Sequence, residues 1–314
     1  MRKAALIYNP ISGQESAQRR AAINTVIAAL RAGSVDVVPY ETEGPGSGAA
    51  LARKAAAEGC DTAIVCGGDG TVHQVLQGAA GGAIALGVIP FGTANALATS
   101  LGIAGPPERA VKKLLTATPV RVPAGRIYYR NRRGEECARY FLVAAGVGPD
   151  ARLMAEMNPK LKRRLGYILY IADGFRIWAS GRFPLFEARF GENGNSHTRY
   201  VSQLLAVRVR SFGGAVGSLA PGASLLSPKL HLLAFSTQRR WHYLRFVVGA
   251  ALGRHPFDRA VELMESSCVE CVAHNGSRAE LRAEADGEPL GTLPVRMEVV
   301  PDAVTLLVPE GARA

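Results

Sequence analysis

Residues 61–80 read DTAIVCGGDGTVHQVLQGAA. The apolar run through Cys66 has the character of a buried strand. It ends in Gly67-Gly68-Asp69-Gly70-Thr71, and a helix-like pattern follows. Three glycines therefore flank one carboxylate at the C-terminal end of a strand. Such a turn either only reverses the chain, or lets a backbone approach a ligand where a side chain would not fit.

The surrounding sequence decides which kind of sheet this strand joins. Upstream, KAALIY (3–8) and VDVVPY (35–40) read as strands, and AIALGVIP (83–90) follows as a fourth. Between them, SAQRRAAINTVIAALRAG (16–33) places Ile23, Ile27 and Leu30 on one helical face and closes on Gly33. GAALARKAAAE, with Ser47 as its expected cap, stops at Gly59. TANALATSLG and PPERAVKKLLTA are also helix-like. This alternation predicts an α/β domain over residues 1–120, a parallel sheet covered on both faces.

After Pro119 the pattern changes. RVPAGRIYYR-NRRG-EECARYFLVAAG reads as a hairpin of two long strands, and residues 151–180 contain a helix signal. LFEARF, QLLAVRVR, LHLLAF, VECVAH, RAEAD, RMEVV and VTLLVP then read as strands. Residues 121–314 are expected to form a second domain built largely as a β-sandwich, with the last strand able to return to the first domain.

Ligands of open parallel sheets sit beyond the carboxyl ends of the strands. Three turns in the first domain fall there: NPISG (9–13), GGDGT (67–71) and PFGTAN (90–95). Their backbone N–H groups beside helix N-termini suit phosphate. Asp69 would repel phosphate unless a cation lay between them, which suggests a hydrated Mg²⁺ held against a polyphosphate. No Walker motif is present.

The bulk properties set outer limits. The apolar runs are shorter than the ~18 residues a membrane span needs. MRKAALIYNP stops too early at Asn9-Pro10 for a signal peptide, so a cytoplasmic protein is expected. Five cysteines do not make a disulfide framework, and Cys268-Val-Glu-Cys271 lacks partners for zinc. The net charge of +11 divides unevenly, +2 over residues 1–120 (10 Lys/Arg against 8 Asp/Glu) and +9 over residues 121–314 (27 against 18). A basic second half points to an anionic partner surface, and no nucleic-acid signature accompanies it. The sequence carries no signal for oligomeric state.

In this order, NPxSG, GGDGT and P-x-G-T-x-N resemble the bacterial diacylglycerol kinase and sphingosine kinase-like lipid kinases. GVGPDA (146–151), LGYILYIADGFR (165–176) and DGEPL (286–290) extend the resemblance over essentially the whole chain. It implies an N-terminal domain that binds ATP and a β-sandwich domain that binds lipid. By this resemblance, Asn9, Ser12 and Gly13 line the nucleotide loop. Gly67, Gly68, Gly70 and Thr71 approach the phosphates, Asp69 acts through Mg²⁺, and Gly92, Thr93 and Asn95 complete the wall. Thr42 matches a threonine near the nucleotide. Asp286 is the implied general base, a group that can take the proton of a lipid hydroxyl, with Glu288 orienting the base or the metal. Read as a bare sequence, Asp-Gly here is also a strong hairpin-turn signal.

Four positions depart from the family pattern. Gln74 replaces a glutamate, Ala96 an aspartate and Tyr167 a lysine, and Ser227-Pro228 stands where Asp-Gly is usual. Acidic residues in that last loop hold a structural Mg²⁺ in diacylglycerol kinases, so this chain is expected to lack that site. His73 and NALA (95–98) look more like the sphingosine kinase branch. The expected acceptor is diacylglycerol or a related lipid, with a sphingoid base or ceramide as the alternative. A kinase of a soluble acceptor and a non-catalytic lipid- or nucleotide-binding regulator are the competing readings. RRWHYLRFVVGAALGRH (239–255) and Lys160, Lys162, Arg163 and Arg164 are candidate contacts with the anionic inner face of a membrane; the plainer readings are a helix packed on the second domain for the first and a solvated helix start for the second.

Overall fold

A computed structural model describes residues 1–10, 16–44, 46–131, 133–149, 151–152, 183–192, 195–212, 219–254, 257–274 and 281–312. Ser12, Gly13, the 165–176 segment with Tyr167, and the 160–164 basic cluster lie outside the described residues. The chain divides into two compact units, Met1–Pro123 with Pro301–Ala314, and Ala124–Val300.

In the first unit, β1 (Lys3–Tyr8), β2 (Asp36–Glu41), β3 (Thr62–Gly67) and β4 (Ala85–Pro90) alternate with α1 (Ser16–Ala32), α2 (Ser47–Ala57), α3 (Asp69–Ala79), α4 (Ala96–Ser100) and α5 (Pro107–Leu115). All strand pairs are parallel, in the order β2-β1-β3-β4. Residues 301–308 end the last strand of the chain and continue the sheet, pairing Thr305 with Ala85 in parallel. β3 is buried at every position, as a central strand covered on both faces must be. Helix α2 lies on α3 and α1 on α5. Small residues let α2 and α3 approach closely, since a Cβ on Gly78 would run into the Ala49 carbonyl. Ser47 does not cap α2. Gly46, at φ 86°, holds the cap position, and the Ser47 hydroxyl donates back to the Gly44 carbonyl at 2.8 Å. The chain leaves the preceding loop in a left-handed conformation that favours glycine, which moves the helix start by one residue.

The second unit is antiparallel. β7 (Ala144–Val147), β10 (Gln203–Val207), β11 (Leu230–Phe235), β12 (Val261–Ser266) and β14 (Arg282–Ala285) form one sheet with the start of β15 (Glu288–Val308). β5 (Thr118–Arg130), β6 (Glu136–Phe141), β8 (Phe186–Glu192), β9 (Asn195–Val201) and β13 (Cys268–Ala273) pair around the middle of the same long strand. Side chains of both sheets, among them Phe141, Val147, Phe186, Leu204, Leu232 and Met297, make one apolar core. β11 is buried along its whole length, and α6 (Arg240–Ala251) packs at its C-terminal end, with Tyr243 stacked on Phe235 at 4.5 Å.

The expected hairpin forms between β5 and β6, with Gly125 opposite Phe141. Its second strand does not run on to Gly146. It breaks at Leu142–Val143, and β7 pairs instead with β10 and β14. The turn holding Asp286, described below, takes up the backbone N–H groups at the break.

His231 sits in β11 at 5% exposure, with Nδ1 3.5 Å from Glu265. Burial, assisted by the Arg208 charge and opposed by Glu265, holds its pKa below the ordinary imidazole value. A histidine with a lowered folded pKa contributes stability that is complete above the unfolded pKa and is lost as pH falls through the folded one. Urea unfolding of native and His231→Leu chains should therefore show the native chain losing stability relative to the variant between about pH 7 and about pH 5.

Candidate functional site

β1, β3 and β4 are neighbours in the sheet, so the chain segments that begin at Asn9, Gly68 and Phe91 leave one carboxyl edge side by side. Strand order reverses direction between β1 and β3, which is where ligands enter open α/β sheets.

The glycines of this edge answer the question the sequence raised. A Cβ on Gly92 would stand 2.6 Å from the Gly68 Cα and 2.8 Å from Asn95 Oδ1, and one on Gly67 would stand 2.6 Å from the Thr71 Cβ. These glycines are required by the protein itself, Gly92 because two loops interlock backbone to backbone and Gly67 because the Thr71 side chain lies over it. The Phe91 N–H donates to the Gly67 carbonyl at 3.0 Å. Asn95, at φ 49°, brackets Gly92: its Oδ1 accepts the Gly92 N–H at 2.9 Å and its Nδ2 donates to the Gly92 carbonyl at 2.6 Å. The Asn95 amide thus shapes the loop, while Thr93 at its tip is exposed.

Gly68 caps α3, and Asp69 is the first helical residue, half-buried. The N–H groups of Thr71 and Val72 turn back to the Gly68 carbonyl. A carboxylate at this end of a helix is favoured by the helix dipole. Thr42 follows β2 and is buried, and its N–H donates to the Tyr8 carbonyl at 2.9 Å, which places it at the same edge.

Arg19 is the residue that sequence reasoning missed. It lies in the first turn of α1 at 2% exposure. Its Nε donates to the Asn9 carbonyl at 2.7 Å, an Nη to the Cys66 carbonyl at 3.3 Å, and its guanidinium covers the Phe91 ring at 5.1 Å. One side chain thus ties together the ends of β1, β3 and β4. Burial pulls its pKa below the usual arginine value, yet a guanidinium remains charged at neutral pH. The signal was available, since Arg19 occupies the apolar face of α1 with Ile23, Val26 and Leu30. Cys66, in the same place, is fully buried, and burial pushes its thiol far up.

In the second unit, Asp286 and Gly287 form a two-residue hairpin turn between β14 and β15, with φ 49° and 80° and with Ala285 paired to Glu288. Positive φ at both central residues is the geometry that favours Asp-Gly. The Asp286 carboxylate accepts three backbone N–H bonds, from Leu142 at 3.1 Å on Oδ2 and from Val143 at 2.8 Å and Ala144 at 3.1 Å on Oδ1. The Asp286 N–H donates to the Ala144 carbonyl at 2.7 Å. Glu284, buried beside the turn, accepts the Gly287 N–H at 2.8 Å. Glu288 opens β15, half-buried.

The departures from the family pattern have their own geometry. Gln74 Oε1 accepts the Gly46 N–H at 3.1 Å, a bond a glutamate could also make but here without charge. Ala96 is buried at the start of α4. The loop with Ser227 is organised around Arg208, which is fully buried and donates to the carbonyls of Leu225 (2.9 Å), Ser227 (2.9 Å) and Lys229 (3.1 Å). Burial lowers its pKa to about 10. Cys271 is fully buried in the core while Cys268, three residues away on the same strand, lies against the Arg296 guanidinium.

The diacylglycerol kinase catalytic domain model matches residues 3–127, and the YegS C-terminal NAD kinase beta sandwich-like domain model matches residues 142–308. The chain belongs to the family of diacylglycerol kinases and YegS-like lipid kinases. It is 29% identical over 301 residues to the diacylglycerol kinase of Bacillus subtilis (strain 168), covering 94% of this chain and 92% of that protein. It is 27% identical over 308 residues to a Klebsiella pneumoniae (strain 342) protein named "Probable lipid kinase YegS-like", covering 98% and 96%. The fold matches a diacylglycerol kinase crystal structure from Bacillus anthracis str. Sterne with a TM-score of 0.75 at 20% identity, covering 98% of this chain and 97% of that one. As a member of this kinase family, the chain is a phosphotransferase, and the family implies ATP as the phosphoryl donor.

Two predictions follow from the two turns of this lipid-kinase family member. Gly92→Ala forces the Gly68 loop apart and should cost about 1–3 kcal/mol in denaturant unfolding, with weaker nucleotide binding by calorimetry. Asp286→Asn keeps one carbonyl oxygen but sets an amide N–H₂ against the Leu142 N–H. It should lower stability by about 1–3 kcal/mol, read as a lower urea midpoint at unchanged m-value.

Proposed function

We propose that the chain transfers the γ-phosphoryl group of ATP to the hydroxyl of a lipid alcohol, diacylglycerol first and a sphingoid base or ceramide as the alternative. The observation that carries this reading is the pair of interlocked glycine loops at the carboxyl ends of β3 and β4, bearing one carboxylate, beside the β1/β3 reversal in a chain of the diacylglycerol kinase family. His73 and Asn95-Ala96-Leu97-Ala98 are what keep the sphingoid alternative.

The nucleotide is placed on the first unit. The N-terminus of α3 turns backbone N–H groups and the positive end of its dipole toward the phosphates. Arg19 adds a fixed positive charge behind the loops. Asn9, Ser12, Gly13, Thr42, Thr71 and Thr93 are assigned to the same nucleotide wall. Asp69 is the only carboxylate in segments 9–13, 67–71 and 90–95. Among the described residues no cluster of three or more His, Cys, Asp or Glu could hold a metal. That sparse set fits Mg²⁺, which keeps several waters and binds through one or two carboxylates and substrate phosphates. Bound there, Mg²⁺ supplies charge neutralisation on the phosphate oxygens during transfer.

Asp286 is assigned as the group that takes the proton of the lipid hydroxyl, with Glu288 beside it. Its three backbone partners hold the carboxylate in one orientation. General-base assistance of this kind is worth about 10²–10⁴-fold. The basic second half, +9 over residues 121–314, suits work at the anionic inner face of a membrane. No described helix is long and apolar enough to cross one.

The test is transfer from labelled ATP to a panel of lipid alcohols in mixed micelles. Diacylglycerol should be labelled. Asp69→Asn should lower kcat by about 10²–10³-fold. Asp286→Asn should lower it by about 10²–10⁴-fold while ATP binding persists. Absence of transfer to every lipid alcohol by a chain that binds ATP would sink the reading. A kcat retained within about tenfold in folded Asp286→Asn would assign that residue to structure alone.

A further inference from the structure

Helix α6 is apolar on two opposite sides. Its inner side is explained by packing: Tyr243, Phe246 and Ala250 are buried, Tyr243 stacks between Phe183 and Phe235 at 4.4 and 4.5 Å, and Phe246 meets Phe235 edge-on. The Tyr243 hydroxyl reaches Ser202 Oγ at 2.6 Å. The outer side carries Trp241 at 62% exposure, Leu244 at 37%, Val247 at 60% and Val248 at 48%, and Leu252 follows at 70%. At 3.6 residues per turn, positions 241, 244, 248 and 252 fall in one stripe. A surface helix ordinarily turns charged and polar residues outward opposite its core face. Of the ten exposed large hydrophobic residues among the described ones, five lie on α6 or at its C-terminal cap, a concentration that single scattered exposure does not produce.

The charges around the stripe select what covers it. Residues 239–254 contain Arg239, Arg240, Arg245 and Arg254 and no Asp or Glu. Arg245 is paired with Asp258. Arg239, Arg240 and Arg254 are exposed at the two ends of the stripe. A second copy packed along this stripe in a two-fold contact would bring the arginines of one helix end near those of its partner, with no carboxylate in residues 239–254 to meet them. An anionic bilayer satisfies both features, taking apolar side chains into the headgroup boundary and basic ones at the phosphates.

We propose that the outer face of α6 is a docking surface for an anionic lipid bilayer, entered by Trp241, Leu244, Val248 and Leu252 and rimmed by Arg239, Arg240 and Arg254. The choice of a bilayer over a soluble partner rests on the lipid-kinase reading above. The experiment therefore reads binding and activity separately.

The full chain is sedimented with vesicles of phosphatidylcholine alone, or with about one third phosphatidylglycerol. The native chain should bind the mixed vesicles, and each arginine should contribute about fivefold in affinity at low salt. Val248→Glu with Leu252→Glu replaces two exposed side chains and should abolish sedimentation while the thermal unfolding midpoint holds. A second measurement leaves α6 untouched. Trp178→Phe makes Trp241 the sole tryptophan, and its emission should shift to shorter wavelength on adding the mixed vesicles. Native-like sedimentation of the double variant overturns the proposal, as does an unmoved Trp241 emission. So does a native dimer that the double variant converts to monomer, which would assign the face to a second copy. Phosphorylation of a soluble short-chain diacylglycerol is read on the same proteins. If the native chain phosphorylates no lipid but binds vesicles through α6, the activity reading fails and the docking surface stands. If it phosphorylates the soluble lipid and the double variant still binds vesicles, the reverse holds.

Discussion

Arg19 brings a charged group to a place almost closed to water, and such a group persists only where its donors are satisfied. Here the acceptors are the Asn9 and Cys66 carbonyls, which belong to the ends of two strands, and the Phe91 ring supplies a third surface. Carbonyls at the carboxyl edge of a parallel sheet point beyond the last ladder bonds, so something must occupy them. A long side chain rooted in α1 does so, reaching the ends of β1 and β3 and the residue after β4 at once. The interlock of Gly68 with Gly92 and the bracket formed by Asn95 sit on that foundation. The loops assigned to the phosphates are thereby held in shape by the protein itself, the condition for electrostatic preorganisation.

The second unit repeats the principle with the opposite sign. A carboxylate at the tip of a hairpin gathers three consecutive backbone N–H groups, and the cost is a broken strand between β6 and β7. The break lets β7 leave β5's sheet and join β10 and β14. Asp286 is therefore both a member of the architecture and the residue assigned to chemistry. Loss of activity on its substitution has to be separated from loss of fold. The 225–229 loop is a third instance, in which Arg208 supplies a permanent internal cation to backbone carbonyls.

Much of this was legible in the sequence. Continuous apolar runs marked β1, β3 and β4, because strands covered on both faces need no polar alternation. The three glycine turns marked the sheet edge, and Asp286-Gly287 marked a tight hairpin. The failures share a cause. β9 (NSHTRYV) and β12 (VELMES) carry too little apolar pattern to stand out, and they exist because β8 and β11 offer them unpaired edges. Ser47 looked like a cap because serine is a good one, but the left-handed Gly46 had already set the helix start. The hairpin strand ran too long in the sequence reading because nothing local announces that a residue about 140 positions away will take its N–H groups.

By itself, the sequence determined the elements and the chemistry they can carry: an alternating α/β half with Gly-rich strand ends, a β-rich basic half, and one aspartate in each half set in a glycine turn. Those features are local, resting on side-chain periodicity, glycine's freedom at positive φ and the affinity of N–H groups for anions. Only the tertiary structure decided why the glycines are obligatory, what holds the loops, and which face of α6 is left apolar toward solvent. Each of those depends on groups far apart in the chain meeting at van der Waals or hydrogen-bond distance, and burial, unlike propensity, is a property of the assembled fold.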